Sequence, residues 1–296
     1  MPKIPVIDFS LFSMDVQAWH NVVQQIYQAC HEIGFLYLQN PGISPELIEE
    51  VFTQSKYFFN LPLTVKQQLA WSDEFSNQGY VGIERESLNP GTPGDLKEAF
   101  NIGNTSSIAL TKEPCIQAFY QACTHVANQV LQAFALGLQL PEDFFTIRHN
   151  EQNHTLRLLH YPPLQQLPKP GQVRAGEHSD YGSITLLFQD QVGGLEVQTA
   201  FGEWIAAPAI PGTVLINTGD LMQRWTNDVF VSTKHWVMIP TDDRLNQSRY
   251  SVAFFCHPND DTEIACLESC QQQRSPIYPP IFAGEYLLSR LQATYY

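Results

Sequence analysis

The stretch that decides the fold is His178-Ser179-Asp180-Tyr181-Gly182, which leads into the apolar run Ser183–Phe188. In an extended strand, residues two apart project to the same side, so His178 and Asp180 would face one way. A second histidine, His235, follows 55 positions after Asp180 and heads another strand-like run, His235–Ile239. A barrel wall could bring His235 across from a neighbouring strand. Spacing alone is weak support. With 9 His and 13 Asp in 296 residues, chance supplies roughly 0.4 His-x-Asp triplets. His149-Asn150-Glu151 also offers a histidine and a carboxylate two apart, but it follows Phe144-Phe145 in a polar stretch and reads as a decoy. Taken singly, His178 reads as a hydrogen-bonded core histidine.

Residues further along give the triplet its weight. Fourteen positions after His235 stands Arg249-Tyr250-Ser251, which opens the apolar strand Val252–Phe255. An arginine and a hydroxyl on one side of a strand form a fork suited to a carboxylate. Arg85-Glu86-Ser87 repeats that spacing, so the triplet counts only within the ordered set. Two imidazoles and one carboxylate that leave other positions open are the donor set of non-haem Fe(II) oxygenases.

The surrounding chain divides by hydrophobic period. After about Thr155, strand-like runs recur at Leu156–His160, Ser183–Phe188, Gly194–Gln198, Thr213–Asn217, His235–Ile239 and Tyr250–Cys256. Pro162-Pro163, Gly193-Gly194, Gly202, Pro211-Gly212 and Pro258-Asn259 punctuate them. Many short strands at this spacing predict a sandwich or barrel rather than alternating βαβ units. Upstream, three- and four-residue steps predict helices over Asp15–Ile33, Pro45–Phe59 and Cys115–Leu136. Gly34 stops the first helix, and Phe35–Leu38 reads as a buried strand. Ser76 to Gly103, with Gly79, Gly82, Pro90, Gly91, Pro93 and Gly94, reads as a long irregular connection of the kind that often forms a lid. Dinucleotide-binding, Walker and serine-hydrolase motifs are missing, as are internal repeats.

Composition narrows the function classes. The chain is 44% hydrophobic and 16% charged, long enough for a substantial core and unlike a disordered segment. Thirty acidic residues against 16 basic ones give a net charge of −14, which disfavours a broad nucleic-acid surface. No apolar run reaches the roughly 18 residues that cross a bilayer. The opening MPKIPVIDFS lacks the pattern of a secretory signal. Six dispersed cysteines without a Cys-x-x-Cys pair fit free thiols in a reducing compartment. A cytoplasmic protein is expected.

Taken in order, these segments resemble the 2-oxoglutarate/Fe(II)-dependent oxygenases of the isopenicillin N synthase-like family. The resemblance runs nearly end to end. It takes in Ile4–Asp8, Gly34-Phe35-Leu36, Lys97-Glu98-Ala99-Phe100, Leu159–Pro163, His178–Gly182 and Gly193-Gly194-Leu195. It continues through Pro211-Gly212-Thr213, Asn217–Asp220, Arg224–Asn227, Ser232–His235 and the Arg249 strand.

The resemblance implies a mainly β fold with flanking helices. A double-stranded β-helix, or jelly-roll, core over residues 151–260 would follow a helical or mixed N-terminal region, 1–150, and precede a C-terminal tail with a helix, 261–296. It implies Fe(II) on His178, Asp180 and His235, and 2-oxoglutarate on Arg249, Ser251 and Tyr161. The family's Asn-Tyr-Tyr-Pro motif here reads Leu159-His160-Tyr161-Pro162, so its asparagine amide is missing. The implied reaction consumes O2 and 2-oxoglutarate, releases succinate and CO2, and hydroxylates, desaturates or cyclises a small organic metabolite. Ascorbate would be stimulatory, and the iron centre would be the sole catalyst. Phe255, His257 and Phe100 are the expected substrate contacts, while Asp220 and Asn217 are expected in turns and supporting structure. A monomer free of nucleic acid and membrane is expected. Two alternatives stay open: an isopenicillin-type oxidase that needs no 2-oxoglutarate, and a redox-inactive metal-binding sensor.

Overall fold

The computed structural model describes residues 3–10, 16–70, 77–87, 93–103, 110, 113–164, 168–271 and 274–295. The N-terminal half runs β1 (Val6–Asp8), α1 (Val16–Glu32), β2 (Phe35–Gln39), α2 (Pro45–Phe59), α3 (Leu63–Gln67), β3 (Gly79–Val81), β4 (Glu98–Gly103) and α4 (Pro114–Gly137). The strand-rich half follows with β5 (Thr155–Tyr161), β6 (Ala175–His178), β7 (Ile184–Gln189), β8 (Leu195–Gln198), β9 (Trp204–Ala206) and β10 (Thr213–Thr218). Helix α5 (Asp220–Trp225), β11 (His235–Val237), β12 (Arg249–Cys256), β13 (Glu263–Ile264), β14 (Ile281–Phe282) and α6 (Ala283–Tyr295) complete it. Among the described residues no helix is long and apolar enough to cross a membrane.

Local signals account for the helix boundaries. Ser44 caps α2, its hydroxyl accepting the Leu47 amide at 3.2 Å, and Pro45 fills the first helical position, where a missing N–H costs nothing. Helix α1 ends where Ile33 and Gly34 both donate to the Ala29 carbonyl. Gly34 has φ +70°, and a β-carbon there would collide with the Val231 carbonyl, so only glycine fits this stop.

Eight strands form one sheet in the order β1-β2-β10-β7-β12-β5-β4-β3, and four form a second, β6-β11-β8-β9. This is the jelly roll, with its large sheet extended at both edges by strands from the first half of the chain. Period-two alternation divides the large sheet into two faces. Leu156, Leu158, Ile184, Leu186, Val252 and Phe254 join one apolar cluster with the α1, α2 and α4 side chains. Leu159, Tyr161, Leu187, Leu215 and Ala253 turn the other way, toward the small sheet. The space between the sheets is the cavity described below.

Two expectations are corrected here. The span from Ser76 to Gly103 is not an irregular connection throughout, because β3 and β4 pair with each other and extend the large sheet. Ser76, Pro90 and Gly91 lie outside the described residues. Phe100 does not face the substrate side. It is fully buried in the helix-side cluster, its ring 4.5 Å from that of Phe58. Alternation along β4 explains this: Lys97, Ala99 and Asn101 face inward, so Glu98, Phe100 and Ile102 face the helices.

Glu98 anchors that outer face. Its carboxylate accepts from Lys66 Nζ at 2.7 Å, Tyr80 Oη at 2.6 Å and His160 Nδ1 at 2.8 Å. Burial by itself raises the Glu98 pKa, but hydrogen bonds from His160, Lys66 and Tyr80 outweigh it and hold the carboxyl ionised. His160 therefore points away from the cavity, with its ring stacked on Tyr250.

Truncating Phe100 to alanine should cost about 3–5 kcal/mol of stability, as for other fully buried aromatics. Chemical denaturation would measure it. A small loss with altered substrate preference would instead restore Phe100 to the cavity.

Candidate active site

His178 and His235 stand opposite each other, because β6 and β11 pair antiparallel with these two residues in register. Their ring centroids are 4.3 Å apart. His178 Nδ1 donates to the Gly176 carbonyl at 2.7 Å, and His235 Nδ1 to the Thr233 carbonyl at 3.1 Å. A carbonyl can only accept, so both rings carry their proton on Nδ1 and keep the Nε2 lone pair free.

Asp180 lies two residues past the end of β6, not within the strand. Its position comes from the turn that follows. Asp220 N–H donates to the Asp180 carbonyl at 2.7 Å, Gly219 N–H to Ser183 at 3.0 Å and Ser183 N–H to Cys256 at 3.0 Å. Asp180 Oδ2 accepts from Thr185 Oγ1 at 2.5 Å and Asn217 Nδ2 at 2.7 Å. That leaves Oδ1, which sits 3.7 Å from His235 Nε2. One ligand atom from each of the three residues lies within 4.8 Å of the others. Among the described residues no other group of three histidines, cysteines or carboxylates meets in this way.

The electrostatics suit a metal site. Burial, with the neighbouring His235, pushes His178 down to about 3, so its ring is neutral and able to ligate. Burial raises the Asp180 pKa, but His235, His178, Asn217 and Thr185 together lower it further than burial lifts it. A neutral His178 nitrogen and an ionised Asp180 oxygen result. The donor set is that of the 2-His-1-carboxylate triad, so the residues present fit Fe(II). His149, the decoy, is buried elsewhere. Its Nδ1 donates to Phe145 and its Nε2 accepts from Ser183 Oγ at 2.9 Å, which ties it into the core.

Across the cavity, β12 presents Arg249 and Ser251 on one face. Arg249 Nη1 donates to Ser251 Oγ at 3.3 Å and Nη2 to Gln189 Oε1 at 2.9 Å, while Nε has no partner among the described residues. The guanidinium lies 4.7 Å from the Tyr161 ring centroid, and Tyr161 pairs with Arg249 across β5 and β12. A buried guanidinium with no ion-paired carboxylate among the described residues is suited to an anion. Leu159 lines the same cavity where the family motif has its asparagine.

The cavity measures about 1120 Å³ and opens from the triad toward α6. Phe255 and His257 both line it, their rings parallel to within 14° at 6.4 Å. The sequence did not single out several other lining groups. Lys97 is held by Asp95 and by Glu86 at 3.1 Å, and Glu86 also takes Arg157 at 2.5 Å. Burial alone would lower the Lys97 pKa, yet Glu86 and Asp95 raise it, so the ammonium is retained. Leu287, Leu288 and Leu291 on α6 form an apolar wall opposite. Helix α6 is latched by Tyr181 Oη against Thr294 Oγ1 at 2.6 Å and by Tyr286 Oη donating to Asp220 at 2.9 Å. Period-two counting from Leu187 would have found Thr185 and Gln189, but the α6 wall carries no local signal.

Comparison with known proteins agrees with this geometry. Residues 4–128 match the N-terminal model of the non-haem dioxygenase in morphine synthesis, and residues 152–258 match the 2OG-Fe(II) oxygenase superfamily. The chain is 32% identical to the 2-oxoglutarate-Fe(II) type oxidoreductase ppzD of Metarhizium rileyi, over 99% of this chain and 92% of that protein. It is 33% identical to the proline hydroxylase buaE of Petromyces alliaceus, over 92% and 93%. Among solved structures, a full-length Neurospora crassa protein in complex with alpha-KG superposes with a TM-score of 0.89 at 35% identity, covering 98% of this chain and 96% of that one. The same Neurospora protein has also been solved with alpha-KG and thymine, with a TM-score of 0.88 at 35% identity and the same coverage. Fold, donor set and relatives converge, and the chain belongs to the 2-oxoglutarate/Fe(II)-dependent oxygenase superfamily.

Proposed function

We propose that His178 Nε2, Asp180 Oδ1 and His235 Nε2 hold Fe(II), and that Arg249, Ser251 and Tyr161 hold 2-oxoglutarate beside it. One observation carries this reading: every other polar atom of the three ligands is occupied, so only the converging atoms remain to bind. Bound iron and 2-oxoglutarate would supply the oxidation chemistry, consuming O2 and releasing succinate and CO2 as a C–H bond of the substrate is oxidised.

The chain's own residues supply orientation. Arg249 would hold the distal carboxylate and so orient the acid toward the three ligands. Thr185 and Asn217 hold the unused oxygen of Asp180 and keep its carboxylate turned inward. Leu187, Phe255 and the α6 leucines exclude water from the reacting bond. Phe255 and His257 are the proposed substrate contacts.

The substrate in this reading is a small organic molecule that is hydroxylated, desaturated or cyclised. The size of the cavity, about 1120 Å³, supports it, as do buaE, named a proline hydroxylase, and the Neurospora crassa protein solved with thymine. The relatives named 2-oxoglutarate-Fe(II) type oxidoreductases and the Neurospora protein solved with alpha-KG favour 2-oxoglutarate over a cosubstrate-free oxidase or a redox-inactive sensor; Arg249 and Ser251 alone do not, because an oxidase of this fold keeps the same pair. Residues 151–260 would carry every metal and cosubstrate group, with 1–150 and 261–296 closing the core and the cavity. A monomer in the cytoplasm, without nucleic acid, completes the proposal. Six free cysteines and a net charge of −14 support it.

Protein given Fe(II) and 2-oxoglutarate without oxygen should develop a weak visible charge-transfer band, and His178→Ala or Asp180→Ala should abolish it. A wild type with neither band nor 2-oxoglutarate-dependent succinate release would end the proposal. Asn217→Leu should weaken metal binding about 10- to 100-fold while leaving the fold intact, as losses of supporting hydrogen bonds do elsewhere. Metal titration with a competing chelator reads that loss. An unchanged affinity would remove Asn217 from the site.

A further inference from the structure

Arg174 immediately precedes β6, and its side chain is fully buried. Only one of its donors has a partner among the described residues: Nη2 donates to the Gln247 carbonyl at 3.0 Å. Nε and Nη1 have none, and no described carboxylate forms an ion pair with this residue. The partner carbonyl sits two residues before Arg249, whose own Nε is equally unpartnered. Two buried guanidiniums are thus gathered at the Tyr161 end of the cavity, and neither has a paired anion among the described residues. Burial lowers the Arg174 pKa, Arg249 lowers it further, and Tyr161 and Asp190 raise it, so these four groups lie within one another's fields. The Asp190 carboxylate is already engaged, accepting from the Tyr250 N–H at 2.5 Å and the Val192 N–H at 3.0 Å. A fully buried cation left unpaired by its own chain is costly, and a bound anion can offset that cost.

We propose that Arg174 is a positioning residue for the cosubstrate, adding a second positive charge to the subsite that receives the distal carboxylate of 2-oxoglutarate. It does not line the cavity, so its charge acts across the Arg249–Tyr161 pair rather than by contact. The consequence is selectivity. An acid with a distal carboxylate gains from both arginines, whereas a 2-oxo acid without one gains from neither. The inference rests on the assignment of Arg249 to 2-oxoglutarate.

The test is calorimetric titration of the full-length Mn(II)-loaded protein with 2-oxoglutarate and, separately, with 2-oxobutanoate, which lacks the distal carboxylate. Arg174→Met and Arg174→Gln should weaken 2-oxoglutarate binding about tenfold, the size expected of a buried charge acting over several ångströms. Binding of 2-oxobutanoate should not change. Arg174→Lys, which keeps the charge, should retain most of the preference for the dicarboxylate. Should the Met and Gln variants fail to fold, Arg174→Lys decides: a folded Lys variant that has lost the preference overturns the proposal. Unchanged 2-oxoglutarate affinity in the Met and Gln variants, or equal losses for both acids, overturns it as well. Arg249→Met separates the two levels. If it abolishes the preference while the Arg174 variants do not, only the role of Arg174 fails. If it leaves the preference intact, the cosubstrate assignment fails and this inference with it.

Discussion

The pairing of β6 with β11 is the constraint on which the rest depends. It sets His178 against His235, on a pair of strands with three and four residues that could not hold a register alone. The register is fixed from outside. Val197 on β8 pairs with the other edge of β11 at His235. The loop before His235 is pinned by Ser232 Oγ donating to Asp220 at 2.7 Å and by Thr233 Oγ1 donating to the Ile33 carbonyl at 2.7 Å. Helix α1 and its glycine stop thus reach the proposed metal site through the backbone they press against. The N-terminal half is a brace for the site as much as a cover for the sheet.

Charge is distributed against the grain of the composition. A chain with net −14 keeps Arg249 and Arg174 buried at one end of its cavity, with no paired carboxylate among the described residues. Elsewhere around the same cavity, Lys97 and Arg157 are matched by Asp95 and Glu86. Balanced charges serve structure, because a buried pair satisfies itself. Unbalanced ones are what the proposed cosubstrate would offset. Net charge reports on the outer surface and says nothing of this internal asymmetry.

The legible parts of the sequence were those with a strong local period. Helix α2 runs over Pro45–Phe59 as its spacing predicts, and β12 and β7 fall within one residue of the predicted runs. The misreadings share a cause. Phe100 carries the same aromatic side chain whichever face of β4 is buried, and both faces are, so hydrophobicity cannot tell cavity from core. Strand β3 is only three residues long and begins on Gly79, β4 ends on Gly103, and both gain their identity from pairing partners far along the chain. Asp180 faces His178 as the strand rule predicts, although the strand has already ended; the turn against Gly219 and Asp220 places it instead.

The sequence by itself determined which chemistry was on offer: the order His-x-Asp, His, Arg-x-Ser, and the alternation that sends Arg249 and Ser251 to one side of β12. Residue type and period are local, so they survive in the bare chain. Only the tertiary structure decided which His-x-carboxylate pair meets a second histidine. His149 and His178 differ in the partners that long-range packing gives them: His149 has both ring nitrogens spent, while His178 keeps one lone pair aimed at Asp180 and His235. It also left Arg174 Nε and Nη1 without a partner among the described residues, with Nη2 on the Gln247 carbonyl two residues before Arg249, a fact no spacing rule could hold. The reason is physical: an unspent lone pair or an unpartnered guanidinium is defined by what fails to approach it, and the folded packing alone settles that.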